Sequence, residues 1–148
     1  MVGTRIHWKE KAWLDTYGAS HYGGRWNPIG ISVIYAAENY SLAVLETLVH
    51  AGRTAMPANK VATEILIPFG AGTETAEPAS WDVQDSQEFG RKWYMQQRTP
   101  VLRVPSAVVR GREFNLVINP EHPDFKKLVA SAPLPIEYDP RLFLTSMP

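Results

Sequence analysis

A chain of 148 residues with 15 Lys and Arg against 15 Asp and Glu carries no net charge at pH 7. It shows no basic stripe interleaved with aromatics of the kind that follows a phosphate backbone, which argues against direct nucleic-acid binding. It contains no cysteine, so disulfide frameworks, zinc–cysteine centres and thiol nucleophiles are excluded, in keeping with a reducing cytoplasm.

One core suffices at this length, since a domain of this size buries roughly 70% of the surface its unfolded chain exposes. A single domain over residues 1–148 is therefore expected. The N-terminal MVGTRIHWKEKAW is polar and charged, with no apolar core of a signal peptide, and no later segment reaches bilayer-spanning length. The expectation is a cytoplasmic chain that begins at Met1 and makes no membrane contact. With 12 prolines and 10 glycines the chain must turn often, which favours a compact α+β domain over a helical bundle.

In chain order, GTRIHW reads as a first strand, Ile6 and Trp8 on one side and Arg5 and His7 on the other. TYGASHYGG, residues 16–24, reads as a glycine-rich, aromatic loop at the edge of a site. ISVIYAA, residues 31–37, alternates Ile31, Val33 and Tyr35 against Ser32 and Ile34 and is rich in β-branched residues, as a strand should be. Asn39 can cap a helix through SLAVLETLVH. At about 100° per residue Leu42, Leu45 and Val49 share one face of that helix, and Glu46 falls on the edge of the stripe. VATEILIPF is a further strand, and GAGTETAEPAS, residues 70–80, a surface loop. SQEFGRKWYMQQRT reads as a helix interrupted at Gly90. VLRVPSAVV and REFNLVINP are strand-like and separated by a turn at Arg110-Gly111. HPDFKKLVA supplies one or two helical turns with Pro123 near the start, and PLPIEYDPRLF reads as a closing strand.

The residues that can carry chemistry begin with Arg25. Two glycines precede it and Trp26, Asn27 and Pro28 follow, so its guanidinium sits in a stiff turn that main chain or ligand can approach closely. Such a guanidinium suits a phosphate or a carboxylate; the structural alternative is that it pins the loop to a backbone carbonyl or a nearby acid. Glu46, at the border of the core, needs a partner or a task, because a dry carboxylate is costly. A positively charged transition state is one such task, and an ion pair with an arginine such as Arg25 is the structural alternative. Tyr35 ends a strand between the arginine loop and the glutamate helix. Ser106 lacks a nucleophile elbow, so its hydroxyl is expected to bond a ligand or orient Glu46. His7, His21, His50 and His122 show no metal-ligand spacing, and no metal is expected. His50, one turn after Glu46, can reach the same pocket. GAG at 70–72 is no dinucleotide fingerprint.

GGRWNPIGISVIYAAENYSLAVLETLVH, followed by VPSAVV, FNLVINPEHPDF and YDPRLF, resembles the RES domain family, the toxin halves of bacterial toxin–antitoxin pairs, named for an arginine, a glutamate and a serine. The resemblance covers nearly the whole chain in the family's order. It implies a fold similar to ADP-ribosyltransferase toxins: an α+β domain with a split, mostly antiparallel sheet, flanking helices and a cleft for NAD+, which is substrate and not cofactor. The motif positions are Arg25, Tyr35, Glu46 and Ser106, and Arg5 is the candidate for a further arginine near the N-terminus. On that resemblance Glu46 stabilises a ribosyl cation, Arg25 and Arg5 clamp the pyrophosphate, Tyr35 borders the nicotinamide, and Ser106 bonds the ligand or Glu46. The implied activity is cleavage of the nicotinamide–ribose bond, with water or phosphate as acceptor. The alternatives are transfer of ADP-ribose to a protein, or a nucleotide-binding interaction module without turnover. The implied partner is an Xre-like antitoxin in a hetero-oligomer, through which any DNA contact would run.

Overall fold

The computed structural model describes residues 1–52, 57–77 and 80–143. The elements are β1 (Val2–Trp8), α1 (Tyr17–Tyr22), β2 (Ile34–Ala37), α2 (Tyr40–His50), β3 (Lys60–Leu66), β4 (Thr73–Thr75), α3 (Val83–Met95), β5 (Val101–Pro105), β6 (Phe114–Ile118), β7 (Val129–Ala130) and β8 (Leu134–Pro135), with short 3-10 turns between. The strands join in the order β4-β5-β6-β2-β1-β3-β7, and β8 also pairs with β3. Among the described residues only β4 and β5 run parallel, so the expected α+β class with a mostly antiparallel sheet is observed.

The split in the sheet has a residue-level cause. β1 pairs with β3 along its whole length, from Val2↔Leu66 to Trp8↔Lys60, whereas β1 and β2 share the single pair Thr4↔Ala37. Past Thr4, β1 stays with β3 and leaves β2, so the two halves of the sheet part. In the β4-β5-β6-β2 half, strands β5, β6 and β2 are packed on both faces, while β4 stays at the exposed edge. On one face lie Ile34, Ala36, Leu116 and Ile118. On the other, Val117, Leu102 and Val104 pack against Trp93 of α3 and Trp26. Trp93 is fully buried, and its indole N–H donates to Thr99 Oγ1 at 2.9 Å, which removes the cost of burying that donor. α2 covers the junction itself, with Leu42 and Ala43 against Ala37.

Several expectations need correction. The segment 16–24 carries α1, whose first turn is tied down by Asp15 Oδ1 accepting from Tyr17 N at 2.8 Å. β2 starts only at Ile34, because the residues before it are committed to the preceding loop, the Ile31 carbonyl accepting from Asn27. Asn39 does cap α2, its side chain accepting from Leu42 N. The buried residues of that helix, however, are Leu42, Ala43 and Leu48, and Leu45 and Val49 face solvent. The helix lies across a sheet junction of small residues, so the face that carries Ala43 turns inward instead. Residues 73–75 of the expected surface loop form β4, while residues 78–79 of that loop lie outside the described residues. HPDFKKLVA forms a 3-10 turn over Pro123–Lys127 and then β7. The expected closing strand shrinks to Leu134–Pro135.

Gly90 does not interrupt α3, which runs unbroken through it. It is there because the loop after Arg25 needs the space: a Cβ at position 90 would collide with the Trp26 carbonyl. Gly90→Ala is accordingly expected to lower stability by about 1–3 kcal/mol, since overpacking of this kind forces backbone to move. Urea unfolding measures this, and a variant as stable as the parent would show that the helix and loop do not approach so closely.

Candidate functional site

The site is assembled where the sheet splits. Tyr35↔Val117 and Ala37↔Asn115 are directly opposed on β2 and β6, which puts Tyr35, Ala37, Asn115 and Val117 on one face. The chain leaves β2 at Ala37, is capped by Asn39 and returns as α2, so Glu46 comes back over Asn115. Ser106 arrives from the end of β5. Its N–H donates to the Glu113 carbonyl at 3.0 Å and its carbonyl accepts from Gly111 N at 2.7 Å, which locks the hairpin around it.

One oxygen of the carboxylate, Glu46 Oε1, accepts from Ser106 Oγ at 2.8 Å and from Asn115 Nδ2 at 2.6 Å. The other, Oε2, lies 3.9 Å from His50 Nε2, a ring that is 82% exposed. The carboxylate is thus oriented by two neutral donors, one of them fully buried, while its second oxygen is left to the opening beside it. The bond from Ser106 Oγ is the contact that one of the two expectations for Ser106, orienting Glu46, requires. Glu46 makes no ion pair with Arg25.

Arg25 projects from a turn held from three sides. Gly24 and Asn27 close a β-bridge. The Asn27 amide is fully buried and donates to the Ala19 carbonyl at 2.8 Å and the Ile31 carbonyl at 3.0 Å. The Tyr35 hydroxyl donates to Asn27 Oδ1 at 2.6 Å and accepts from Trp26 N at 3.1 Å. Gly24 is required by that hydroxyl, which would stand 2.6 Å from a Cβ at position 24. The first task of this glycine is therefore to admit Tyr35 beneath the loop. Burial pushes the Tyr35 phenol well above its ordinary range, with the Trp26 N–H acting in the opposite sense, so the hydroxyl stays protonated and keeps both bonds. Arg25 itself donates from Nη1 to the Trp81 carbonyl at 3.1 Å, at an exposed position. The backbone-pinning alternative is therefore present, and the guanidinium still borders the cleft.

Arg5, on β1, reaches the cleft from the opposite side. Its Nη2 donates to the Asp15 carbonyl at 2.7 Å, while Nη1 is buried without a partner. Burial holds its pKa down to about 10, opposed by the pull of Asp15. His7, next but one along, has Nδ1 3.0 Å and 3.1 Å from the carbonyl oxygens of Trp8 and Lys11, and Nε2 2.8 Å from Thr63 Oγ1. Its basicity is lowered chiefly by burial, and the ring acts as a brace for the loop that carries Asp15.

These residues share one cleft of about 780 Å³, bordered by Arg5, Arg25, Tyr35, Glu46, Asn115 and Lys60. A second hollow of about 730 Å³ adjoins it at Tyr35, Glu46, Lys60 and Asn115 and continues over Ala37, Ala43 and Thr47. Either volume suits a small-molecule ligand. Ser106 stands behind the wall, reaching the opening only through Glu46. Among the described residues no group of three His, Cys, Asp or Glu is placed to hold a metal ion, and no helix is long and apolar enough to cross a membrane.

Sequence reasoning missed Asn115 and Lys60. A polar residue amid the apolar run FNLVI is a signal that could have found Asn115, because strand alternation sets it on the same face as Val117. A lysine at the start of a strand is ordinary, and nothing local marks Lys60.

Comparison with known proteins bears on this arrangement. The chain is 42% identical to a "Prs ADP-ribosylating toxin" of Sphingobium sp. (strain YBL2), over 87% of this chain and 86% of that one. It is 35% identical to "Toxin Res" of Yersinia enterocolitica, covering 85% of this chain and 88% of the relative. "Toxin Res" of Photorhabdus laumondii matches at 37%, over 85% and 84% respectively. A chain in the crystal structure of the M. tuberculosis MbcT–MbcA toxin–antitoxin complex has the same fold, with a TM-score of 0.71 at 17% identity over 90% of this chain and 82% of that one. The family model of the RES domain matches residues 2–139. With that match spanning nearly its whole length, the chain belongs to the RES domain family.

Proposed function

We propose that this chain is the toxin of a toxin–antitoxin pair and that it consumes NAD+ by cleaving the bond between nicotinamide and ribose. The observation that carries the proposal is the carboxylate of Glu46, oriented through one oxygen by Ser106 and Asn115 and set in the wall of a cleft bordered by Arg5 and Arg25. Further support is that three relatives are named toxins, one of them for ADP-ribosylation, a reaction that starts from the same bond.

In the proposed reaction the C1″–N bond breaks and its electron pair passes to the pyridinium nitrogen, so nicotinamide departs neutral. The ribose is left with oxocarbenium character, as in glycoside hydrolysis. Glu46 sets its negative charge beside that cation, and because the carboxylate is already held by Ser106 and Asn115, little reorganisation is needed as charge develops. Arg5 and Arg25 meet the two phosphates of the substrate. Tyr35 holds the Arg25 loop with its hydroxyl and borders the nicotinamide with its ring. Water completes the reaction by adding its oxygen to C1″ and releasing a proton, giving ADP-ribose; inorganic phosphate gives the 1″-phosphate. A second reading, in which a protein side chain is the acceptor, is favoured by the name of the Sphingobium relative. NAD+ is a substrate in each case, and no cofactor is invoked. The partner we propose is an Xre-like antitoxin that covers the cleft, consistent with the toxin–antitoxin complex in which the related fold occurs.

Purified chain incubated with NAD+, with and without phosphate, is expected to release nicotinamide together with ADP-ribose or its 1″-phosphate, resolved by mass. Glu46→Gln is expected to lose on the order of 100-fold or more in turnover while still binding NAD+. Intact NAD+ with the wild-type chain would sink the hydrolytic and phosphorolytic readings, and label appearing on an added protein would select the transferase. Ser106→Ala, which frees Glu46 to rotate, is expected to lower kcat by roughly 10- to 100-fold with KM little changed. A rise in KM alone would instead mean that the serine contacts substrate.

A further inference from the structure

We propose that Tyr22, the last residue of α1, is a stacking platform for the purine base at the adenosine end of the substrate, braced from behind by His21 and Tyr17. The proposal rests on the NAD+ reading for the identity of its ligand, since that reading seats the nicotinamide ribose at Glu46 and the phosphates at the arginines and leaves the second base without a place.

α1 is not held by the core. Its six residues fall well short of the roughly 12 at which a helix becomes even marginally stable alone in water, and none of them is buried. Polar bonds fix its main chain instead. Tyr17 N donates to Asp15 Oδ1 at 2.8 Å, the Ala19 carbonyl accepts from the buried Asn27 amide at 2.8 Å, and the Ser20 carbonyl accepts from Gly30 N at 2.8 Å. The fold thus fixes a short helix rigidly and leaves its rings outside. Those rings form one group: Tyr17 and His21 stack at 5.0 Å and 12°, and His21 meets Tyr22 at 4.7 Å and 83°. Tyr17 and Tyr22 both border the cleft, and Tyr22 is 74% exposed.

A ring braced on one side and open on the other gives up little freedom when it meets a ligand, and its face attracts flat π systems. The other exposed rings at the cleft are already in use. Lys60 Nζ stands 4.2 Å from the centroid of Trp8, and Tyr17 has Lys11 Nζ at 5.4 Å besides the stacked His21. The course of the chain then ties Tyr22 to both arginines. Arg5 donates to the carbonyl of Asp15, two residues before α1 begins, and Arg25 follows Tyr22 after only Gly23 and Gly24. An anion held by Arg25 therefore has Tyr22 on the same edge of the cleft, whereas Glu46 stands over Asn115 on the sheet. In a dinucleotide the two rings lie at opposite ends of the diphosphate, so the base remote from Glu46 falls toward α1. An open face without a surrounding pocket suits a flat base better than an aliphatic chain, which gains by enclosure.

The test is calorimetric titration of the full chain with ADP-ribose, adenosine monophosphate and inorganic pyrophosphate, for wild type, Tyr22→Ala and Tyr22→Phe. Tyr22→Ala is expected to weaken ADP-ribose and adenosine monophosphate on the order of 10-fold, the loss of one base–aromatic stack. Pyrophosphate, which carries no base, is expected to bind all three proteins alike, and Tyr22→Phe should keep the affinity of wild type. With NAD+ as substrate, KM should rise by a similar factor in Tyr22→Ala while kcat changes little. Thermal unfolding checks that each variant is folded, and Tyr22→Leu replaces Tyr22→Ala should the latter fail to fold. Equal ADP-ribose affinity in wild type and Tyr22→Ala overturns the platform, as does a phenylalanine variant no better than alanine. Pyrophosphate weakened in step with ADP-ribose also overturns it, because the tyrosine would then act on the phosphates. Failure of the two proposals is separable. Adenosine monophosphate bound through Tyr22 by a chain that leaves NAD+ intact removes the enzymatic reading and keeps the platform. NAD+ consumption with an unchanged KM in Tyr22→Ala removes the platform and keeps the enzyme.

Discussion

The single pair Thr4↔Ala37 is the constraint on which the rest of the molecule depends. Had β1 stayed in register with β2 for its whole length, as it does with β3, the sheet would close and its central face would be ordinary core. Because pairing stops after one residue, the chain has an opening in its middle that is walled by strands on two sides. Secondary structure, not loops, then supplies most of the lining. Arg5, Tyr35, Lys60 and Asn115 all project from strands, and Glu46 from a helix capped directly after β2. Groups set on such elements hold their geometry better than groups on loops.

The charges of the chain cancel overall, and the cleft shows how little that total says about a site. Its carboxylate is held by neutral donors, a hydroxyl and an amide, while Arg5 across the cleft donates to the Asp15 main-chain carbonyl and, among the described residues, forms no ion pair. The usual economy of a folded surface, in which opposite charges find each other, is followed elsewhere, as in Arg98 with Glu74 at 2.8 Å and Arg103 with Glu38 at 2.8 Å. Keeping Glu46 away from the arginines costs the free protein some electrostatic stability. In return both signs of charge remain available to something that enters.

Much of this was legible in the sequence, for identifiable reasons. Alternation and β-branching marked the strands, and Asn39 marked the start of α2 because a cap depends on one local hydrogen bond. The convergence of Glu46 and Ser106, 60 positions apart, was legible as one of two uses for a hydroxyl that lacks a nucleophile elbow, and the resemblance carried the same pair of uses. Periodicity failed on α2 because it scores apolar character, while the junction beneath that helix has room for small residues. Ala43 therefore turns inward, and Leu45 and Val49 are left outside. It failed at Gly90 for a related reason: a glycine reads as a helix breaker when its neighbours in space are unknown, whereas here it is the residue that lets another segment come close. Lys60 was illegible because its place in the lining is set by Trp8, on a different strand.

The contact between the Trp26 carbonyl and Gly90 has a further consequence for how Arg25 is presented. The loop rests on α3 main chain against main chain, with Gln87 Nε2 donating to the Gly24 carbonyl at 2.8 Å a turn earlier along the helix. At Gly90 no side chain intervenes, so that one contact has no rotamer through which to slip, and the Gln87 amide and the Trp26 ring against Phe89 hold the loop to the same helix. The guanidinium at this edge of the cleft is held by a single bond of its own, to the Trp81 carbonyl. The loop is thus braced at its base against α3, while its arginine is tethered at the tip by one exposed bond.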